Sequence, residues 1–387
     1  MDMAVAGDLS HLGNTARRVG VEVLAVNAAR VDAEAQWPAE NMQALAKAGL
    51  LGLHVPERLG GHGQGMLALA VICEELARHC GSTAMCYGMH CVATQALVAK
   101  ATPEHESRYL QPIARGEHVM SLALSEPGTG SHFYLPRAHF RADEGEFVLS
   151  GVKSFVTSGG YADSYVVSLT SLDAKDDPGS FTLVLVEGRS EGLRWGEAWH
   201  GYGMRGNSSR TVHLEHVRVP AMNLLGARGD QIWYTFEILL PHFLIAMAGV
   251  YLGLAAASLE LAIEHLKTRE HQHFDETLSA QPVLWHDVAS AWTEVEATRR
   301  LAHHAARLAD AGNPGATQAL LAAKGKVANV CNQVTDTAMA LLGGRGYGEN
   351  GAVARMHRDA RAAQVMSPTT HLVEAWLGRS LLGLPLL

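Results

Sequence analysis

Residues Ser125-Glu126-Pro127-Gly128-Thr129-Gly130-Ser131-His132 come after an apolar run, Val119 to Leu124, and read as a strand that breaks into a loop of small residues. Pro127 fixes φ and blocks strand pairing, while Gly128 and Gly130 permit backbone angles that other residues resist and let a ligand approach closely. Such a loop suits a phosphate or a flat ring. Taken alone it reads first as a plain connecting turn, because Gly, Pro and Ser dominate turns of every kind. The rest of the chain decides between the two.

The 387 residues suffice for a large core divided among two or three domains, and 48% hydrophobic with 18% charged residues is the balance of a globular protein. A formal charge of -8 and a pI near 6.2 argue against nucleic acid or an anionic membrane as the main partner. The 21 histidines show no metal-like spacing, so no metal site is expected. Cys73, Cys80, Cys86, Cys91 and Cys331 contain no C-x-x-C pair and read as reduced thiols of a cytoplasmic protein. The N-terminus carries Asp2 and Asp8 and lacks the basic-then-apolar pattern of a signal peptide. Ile238 to Leu259 is uncharged and long enough to span a bilayer, but it contains Pro241 and His242 and has Glu237 and Glu260 at its borders. A buried central helix is the expectation, with Gly249 and Gly253 letting another helix pack closely.

The pattern divides the chain into residues 1–115, helical; 116–228, short β-branched or alternating runs between Asp, Gly, Pro and Ser turns; and 229–387, helical again. Strands are expected at Val119 to Leu124, Arg137 to Ala142, Glu146 to Ser150, Ser164 to Leu172, Phe181 to Glu187 and Thr211 to Val219. Long helices are expected at Gln231 to Glu270, Val283 to Ala311 and Pro314 to Leu342, with shorter ones near Ala352 to Val365 and Thr369 to Leu382. Gly201-Tyr202-Gly203-Met204-Arg205-Gly206 fits the G-x-G-x-x-G dinucleotide pattern, yet Thr211 to Val219 alternates like a strand where that pattern needs a helix, so the string reads as a β-loop. The whole is an α+β chain with a β-module between two helical parts.

Five segments in this order resemble the acyl-CoA dehydrogenase superfamily. The opening loop is similar to its T-E-P-x-A-G-S-D segment, and Gly151-Val152-Lys153-Ser154-Phe155-Val156-Thr157-Ser158-Gly159-Gly160-Tyr161-Ala162-Asp163 to its N-G-x-K-x-W-I-T-N-G-x-x-A-D segment. Met204-Arg205-Gly206, leading to Val217-Arg218-Val219-Pro220 and Asn223-Leu224-Leu225-Gly226, resembles the exit from the β-domain. Gly343-Gly344-Arg345-Gly346-Tyr347 and His357-Arg358-Asp359-Ala360-Arg361 resemble two C-terminal strings. The resemblance implies an N-terminal helical domain, a β-barrel-like middle domain, a C-terminal four-helix-type bundle, and FAD bound between the last two, with FMN as the alternative. It assigns flavin contacts to Leu124, Ser125, Phe155 in place of the usual Trp, and Thr157, turns Gly130 and Ser131 toward the cofactor's pyrophosphate or the acyl chain, and counts Thr369 among the cofactor-binding residues. Hydroxyls and backbone N–H groups suit that task because they orient the ring without competing for its electrons. At the pyrophosphate and adenine end it implies His271, Phe274, Gln281, Gly343 and Gly344, with His271 where Arg is usual and Ala340 where Gln is usual.

The pattern breaks at the base. In the family's dehydrogenases a glutamate removes the substrate α-proton as hydride leaves the β-carbon for flavin N5. The matching string here, Val365-Met366-Ser367-Pro368-Thr369-Thr370-His371, puts Ser367 at that position, and the alternative glutamate position on the first long helix of the bundle carries Phe243. His132 replaces the loop's usual Asp. Candidate catalytic residues are therefore Ser367, His371 one helical turn later, and His90 on a helix that in the family lines the substrate side, with His242 a further histidine near a helix start. The expected function is flavin-dependent α,β-oxidation of an acyl-CoA or carrier-bound acyl thioester or a related small substrate. A two-component flavin monooxygenase of the same fold is the alternative. The implied partners are further copies of the chain, as a homodimer or homotetramer, and an electron-transfer protein or flavin reductase.

Overall fold

The computed structural model describes residues 7–172, 181–271, 273 and 275–386. The N-terminal helices are α1 Gly7–Val19, α2 Ala25–Ala33, α3 Ala39–Lys47, α4 Met66–Ala77 and α5 Gly81–Ala99, followed by the short α6 Pro103–His105 and α7 Gln111–Ala114. Strands then succeed them: β1 Met120–Ala123, β2 His139–Asp143, β3 Glu146–Val156, β4 Ser164–Ser171, β5 Phe181–Glu187, β6 Leu193–Trp195, β7 Arg210–Pro220 and β8 Leu224–Leu225. The C-terminal part holds α8 Gln231–Trp233, α9 Leu240–Thr268, the two-residue strands β9 Glu270–His271 and β10 Glu276–Thr277, then α10 Pro282–Asp310, α11 Ala316–Leu342, α12 Ala352–Ala360, α13 Ala362–Val365 and α14 Thr370–Leu381.

The middle strands form one mixed eight-stranded sheet in the order β6-β7-β3-β2-β4-β5-β8, with β1 paired to β4 in parallel. The sequence pattern ends β3 at Ser150, before Gly151, but the strand continues to Val156. It does so because β7 pairs along its whole length and absorbs register shifts between Leu149 and Gly151 and between Lys153 and Val156. The second shift is a bulge, a device that re-aims side chains, and it turns Phe155 outward at φ 54° with 66% of the residue exposed. After Gly206 the chain runs into β7 rather than a helix, so the Gly201–Gly206 string is a β-loop, as its alternation implies.

The uncharged helix is buried. Gln231–Thr268 is long and apolar enough to cross a membrane, yet 83% of its most apolar window is covered by protein, which makes it a core helix. Gly249 and Gly253 are where α4 lies against it. A Cβ on Gly249 would stand 2.4 Å from the Ala70 carbonyl oxygen, and one on Gly253 would stand 2.2 Å from that of Glu74. The G-x-x-x-G pair is thus filled from within the chain: α4 is the helix that packs closely against it.

The three parts are clamped near the His357–Arg361 string. Arg358 on α12 pairs with Asp32 of α2 at 2.9 Å through Nη1 and donates to the Tyr202 carbonyl at 3.2 Å. Asp359, buried beside it, accepts from Met204 N–H at 2.5 Å, and burial raises its carboxyl to about 6. Helix α2, the β-domain loop and the bundle therefore meet at two adjacent residues.

The close packing at Gly253 predicts that Gly253→Ala lowers stability in urea unfolding by about 1–3 kcal/mol, the usual cost of overpacking a core. Gly378→Ala on α14, whose Cβ would meet nothing within 4 Å, is expected to be neutral or to stabilise by about 0.4–1 kcal/mol.

Candidate functional site

A cleft partly open to solvent lies where the β-domain, α5 and the C-terminal bundle meet. Leu122, Leu124 and Ser125 come from β1 and the loop after it, Phe133 from that loop's far end, and Phe155 from the β3 bulge. Met89 of α5, Leu239, Leu240 and Phe243 at the start of α9, and Ser367 with Pro368 between α13 and α14 complete the lining. None of these lining residues carries a carboxylate. The two positions matched to the family's alternative bases, Ser367 and Phe243, face the same cleft from different elements.

The opening loop is fixed from beneath by a buried ion pair. Lys153 Nζ, on a fully buried side chain, donates to Glu126 Oε1 at 2.6 Å, to Ser168 Oγ at 3.0 Å and to the Leu124 carbonyl at 3.3 Å. Glu126 accepts in addition from the backbone N–H of Arg137 at 2.8 Å and of Ala138 at 3.0 Å. Burial pulls the Lys153 ammonium down to about 8 while Glu126 holds it up. Ser154 N–H donates to the Ser125 carbonyl at 2.8 Å, so the loop and the β3 bulge move as one piece.

This rim fits a flat ring. Gly128 and Gly130 sit at φ 85° and 54° with open space where a Cβ would stand. The Phe155 ring is largely exposed and meets Trp199 edge-on at 6.2 Å. Ser154 Oγ is buried with no hydrogen-bond partner among the described residues.

The expected site residues fall into three groups. Leu124, Ser125, Phe155 and Ser367 line the cleft, and Ser131 borders it, its carbonyl accepting from Ser367 Oγ at 3.3 Å. Gly130 is exposed on the loop and His132 packs edge-on to Tyr134 at 5.8 Å. Thr157 is buried behind the rim, its carbonyl accepting from Ser121 Oγ at 2.7 Å. Thr369 caps α14 by accepting from Leu372 N–H at 3.4 Å.

A second group gathers at one end of the bundle. Leu278, Leu341, Leu342 and Val353 share a satellite apolar cluster there, which brings the β9–β10 turn and the Gln281 start of α10 beside the exposed Gly343 and Gly344 after α11. His271 pairs with Glu276 in the hairpin. Phe274 and the His271 side chain lie outside the described residues.

The third group is histidine. His371 is exposed in the first turn of α14 and is absent from the cleft lining. Ser367 and His371 do not share a helical face, because Pro368 stands between them and the helix begins only at Thr370. His90 is fully buried with both ring nitrogens engaged: Nδ1 accepts from Met120 N–H at 3.0 Å, so Nε2 donates to the Leu51 carbonyl at 3.0 Å. Its neighbour Met89 lines the cleft instead. His242 donates from Nδ1 to the Ile238 carbonyl at 2.7 Å and meets His54 edge-on at 5.4 Å. Burial lowers all three of these imidazoles, His90 to about 4, His242 to about 3, and His54 below its ordinary value.

Residues 8–117 match the acyl-CoA dehydrogenase N-terminal domain, 121–217 the middle domain and 233–381 the C-terminal domain of the same family. The chain belongs to the acyl-CoA dehydrogenase family and is a flavin-dependent oxidoreductase. It is 31% identical over 368 residues to cyclohex-1-ene-1-carbonyl-CoA dehydrogenase of Geobacter metallireducens, covering 95% of this chain and 96% of that one. It is 28% identical over 384 residues to acryloyl-CoA reductase (NADH) of Anaerotignum propionicum, covering 99% and 96%. The solved structure of butyryl-CoA dehydrogenase from Megasphaera elsdenii superimposes with a TM-score of 0.91 at 25% identity, over 99% of this chain and 100% of that one. These relatives leave the monooxygenase expectation without support.

These contacts lead to two expected outcomes. Lys153→Met strands a buried carboxylate and is expected to cost about 3–5 kcal/mol in chemical denaturation. Adding Glu126→Gln, which removes the charge and keeps an acceptor for the backbone, recovers part of that loss. The histidines set the acid limit. Neutral in the fold and titrating near 6.5 when unfolded, they contribute full stability above that pH and lose it as pH falls toward their lowered values. The unfolding free energy should fall between pH 6.5 and 4.5, approaching a slope of about 1.4 kcal/mol per pH unit per histidine, and less steeply in His242→Phe.

Proposed function

We propose that this chain oxidises the α,β-bond of a compact acyl-CoA or related acyl thioester, using FAD, with the α-proton passing to water at the open side of the cleft in place of a side-chain carboxylate. The observation that carries the reading is the cleft itself: apolar, bounded by Leu124, Ser125 and Phe155 on one side and by Ser367 and Phe243 on the other, with no acid among its lining residues. A flavin held at that rim supplies an acceptor for the hydride leaving the substrate.

The chain's own residues hold and orient the substrate. Met89, Leu122, Phe133, Leu239, Leu240 and Phe243 hold the acyl group by apolar contact. Phe133 cannot easily yield, because Tyr134 packs against it at 5.7 Å and is itself wedged against Phe236 at 5.5 Å and Trp376 at 6.4 Å. This backing favours a short or compact acyl group over a long chain. Leu124, Ser125, Gly130, Ser131, Phe155 and Thr157 are the residues we assign to the flavin ring. Thr369, as cap of α14, fixes the chain beside it. The relatives that act, by name, on cyclohex-1-ene-1-carbonyl-CoA and acryloyl-CoA support a CoA thioester of modest size.

Gln281, Gly343 and Gly344 at the end of the bundle, together with His271 and Phe274 as the resemblance implies, we assign to the adenine end of FAD bound by a second copy of the chain. The absence of Gln281, Gly343 and Gly344 from the cleft lining supports a homodimer, or a homotetramer built from such dimers. With the flavin re-oxidised by another protein, an electron-transfer partner completes the reading. Ser367, its hydroxyl donating to Ser131, has no base beside it and is assigned a positioning rather than a proton-abstracting role. His371 and His90 are not assigned to the chemistry, the one for its exposure and the other for its two backbone bonds.

Anaerobic mixing of the FAD-loaded protein with butyryl-CoA, cyclohexane-1-carbonyl-CoA and palmitoyl-CoA tests this. Bleaching of the flavin absorbance by one of the two compact thioesters, and little by the long chain, is expected; no bleaching by any of them refutes the reading. Ser367→Glu should raise the bleaching rate by about 10²–10⁴-fold, the usual gain from a positioned general base. An unchanged rate in that variant would show that position 367 does not face the substrate α-carbon.

A further inference from the structure

The segment that carries Ser367 and Pro368 into the cleft is short and otherwise loosely held, with Gln364 and Val365 exposed. On the cleft side it is tied by Ser367 Oγ to the Ser131 carbonyl, and Met366 Sδ accepts from Tyr251 at 3.2 Å. Its remaining tether is a residue that no part of the chemistry above uses. Lys324 on α11 is 1% exposed, and its Nζ donates to the Ala363 carbonyl at 3.0 Å and to the Pro368 carbonyl at 3.1 Å. These two oxygens stand at either end of the turn. Thr370 Oγ1 adds a longer bond to the Ala363 oxygen at 3.5 Å.

A buried ammonium that meets only main-chain carbonyls is an expensive way to fill a core position, since burying a charge without an adjacent counterion costs several kcal/mol. Glu374 is the acid that acts on it, from beyond contact distance, and burial outweighs it, lowering the ammonium to about 8. A Leu or Met would fill the same volume on α11 with less desolvation. What neither can supply is a donor for two carbonyls five residues apart. Those carbonyls belong to the last helical residues before the turn and to the proline at the cleft wall, so their spacing fixes where Ser367 and Pro368 stand.

We infer that Lys324 is a positioning residue: by bridging the Ala363 and Pro368 carbonyls it sets the turn that presents Ser367 and Pro368 to the acyl group, without touching substrate. This rests on the reading of the cleft as an acyl-thioester site. It adds a residue that the family motifs quoted above do not include.

The test compares wild type with Lys324→Met, which keeps the stem and loses the donors, and Lys324→Arg, which keeps charge and donors. Hydrogen exchange is followed in a peptide spanning residues 362–372 and, as control, in one within α11 C-terminal to residue 326. Turnover is followed with whichever of butyryl-CoA and cyclohexane-1-carbonyl-CoA bleaches the flavin faster. In Lys324→Met, exchange of the turn should rise roughly tenfold while the α11 control stays as in wild type. Turnover should fall by about 10²-fold, the scale of a displacement near 1 Å, mainly in kcat rather than KM. Lys324→Arg should recover part of both. Unchanged exchange and kcat in Lys324→Met, or equal loosening of turn and α11, overturns the inference in favour of a structural role alone. Should Lys324→Met fail to fold, Lys324→Gln, which retains one donor group, is read by the same two measurements and the same criteria. If no thioester bleaches wild type, the functional reading falls, while the exchange measurement still decides whether Lys324 holds the turn.

Discussion

The Lys153–Glu126 pair is the contact on which the site depends. It is buried, and the carboxylate's two oxygens also take up the backbone N–H groups of Arg137 and Ala138, so the charges are compensated by short hydrogen bonds rather than by water. Through the Leu124 carbonyl and Ser168 hydroxyl, the ammonium joins the end of β1 to β4. Everything that faces the cleft from the β-domain hangs from this point: Leu124 and Ser125 lie immediately before Glu126, and Phe155 lies two residues after Lys153. The bulge that turns Phe155 outward is tolerable because the ion pair anchors the strand on one side of it and β7 on the other.

The helical parts hold the opposite wall by different means. Close approach of α4 to Gly249 and Gly253 fixes α9, and with it Leu240 and Phe243, against the N-terminal domain. The Arg358–Asp32 and Asp359–Met204 contacts then lock α12 to both other parts. The cleft is thus a junction of three independently braced pieces, the arrangement in which ligand sites between domains commonly occur. The wall these pieces form is apolar, and none of its lining residues carries a carboxylate.

Much of this was legible in the sequence where one physical signal dominated. The 3.6-residue period of the long helices, the alternation of β4, β5 and β7, and the Pro-Gly loop after β1 each arise from local chemistry. What escaped depends on partners distant in the chain. Lys153 gives no sign of burial in its own strand, since Glu126 lies 27 residues away, and Lys324 meets its carbonyls 39 and 44 residues on. The G-x-x-x-G pair announces close packing but not whose helix arrives. His90 sits in an apolar run and is a satisfied core residue, as isolated histidines in such runs commonly are. The grouping of Ser367 with His371 neglected a signal that was present: Pro368 restricts the residue before it to extended angles, so a helix cannot run through both.

The central claim is tested most directly by a crystal structure of the FAD-loaded protein with a non-oxidisable thioether analogue of butyryl-CoA. The expected result is the acyl group among Met89, Phe133, Leu240 and Phe243, the flavin ring against Ser125 and Phe155, and the Ser367 side chain nearest the substrate α-carbon, with no carboxylate in contact. A carboxylate of this chain placed against that carbon, or an acyl group bound outside this cleft, would contradict it.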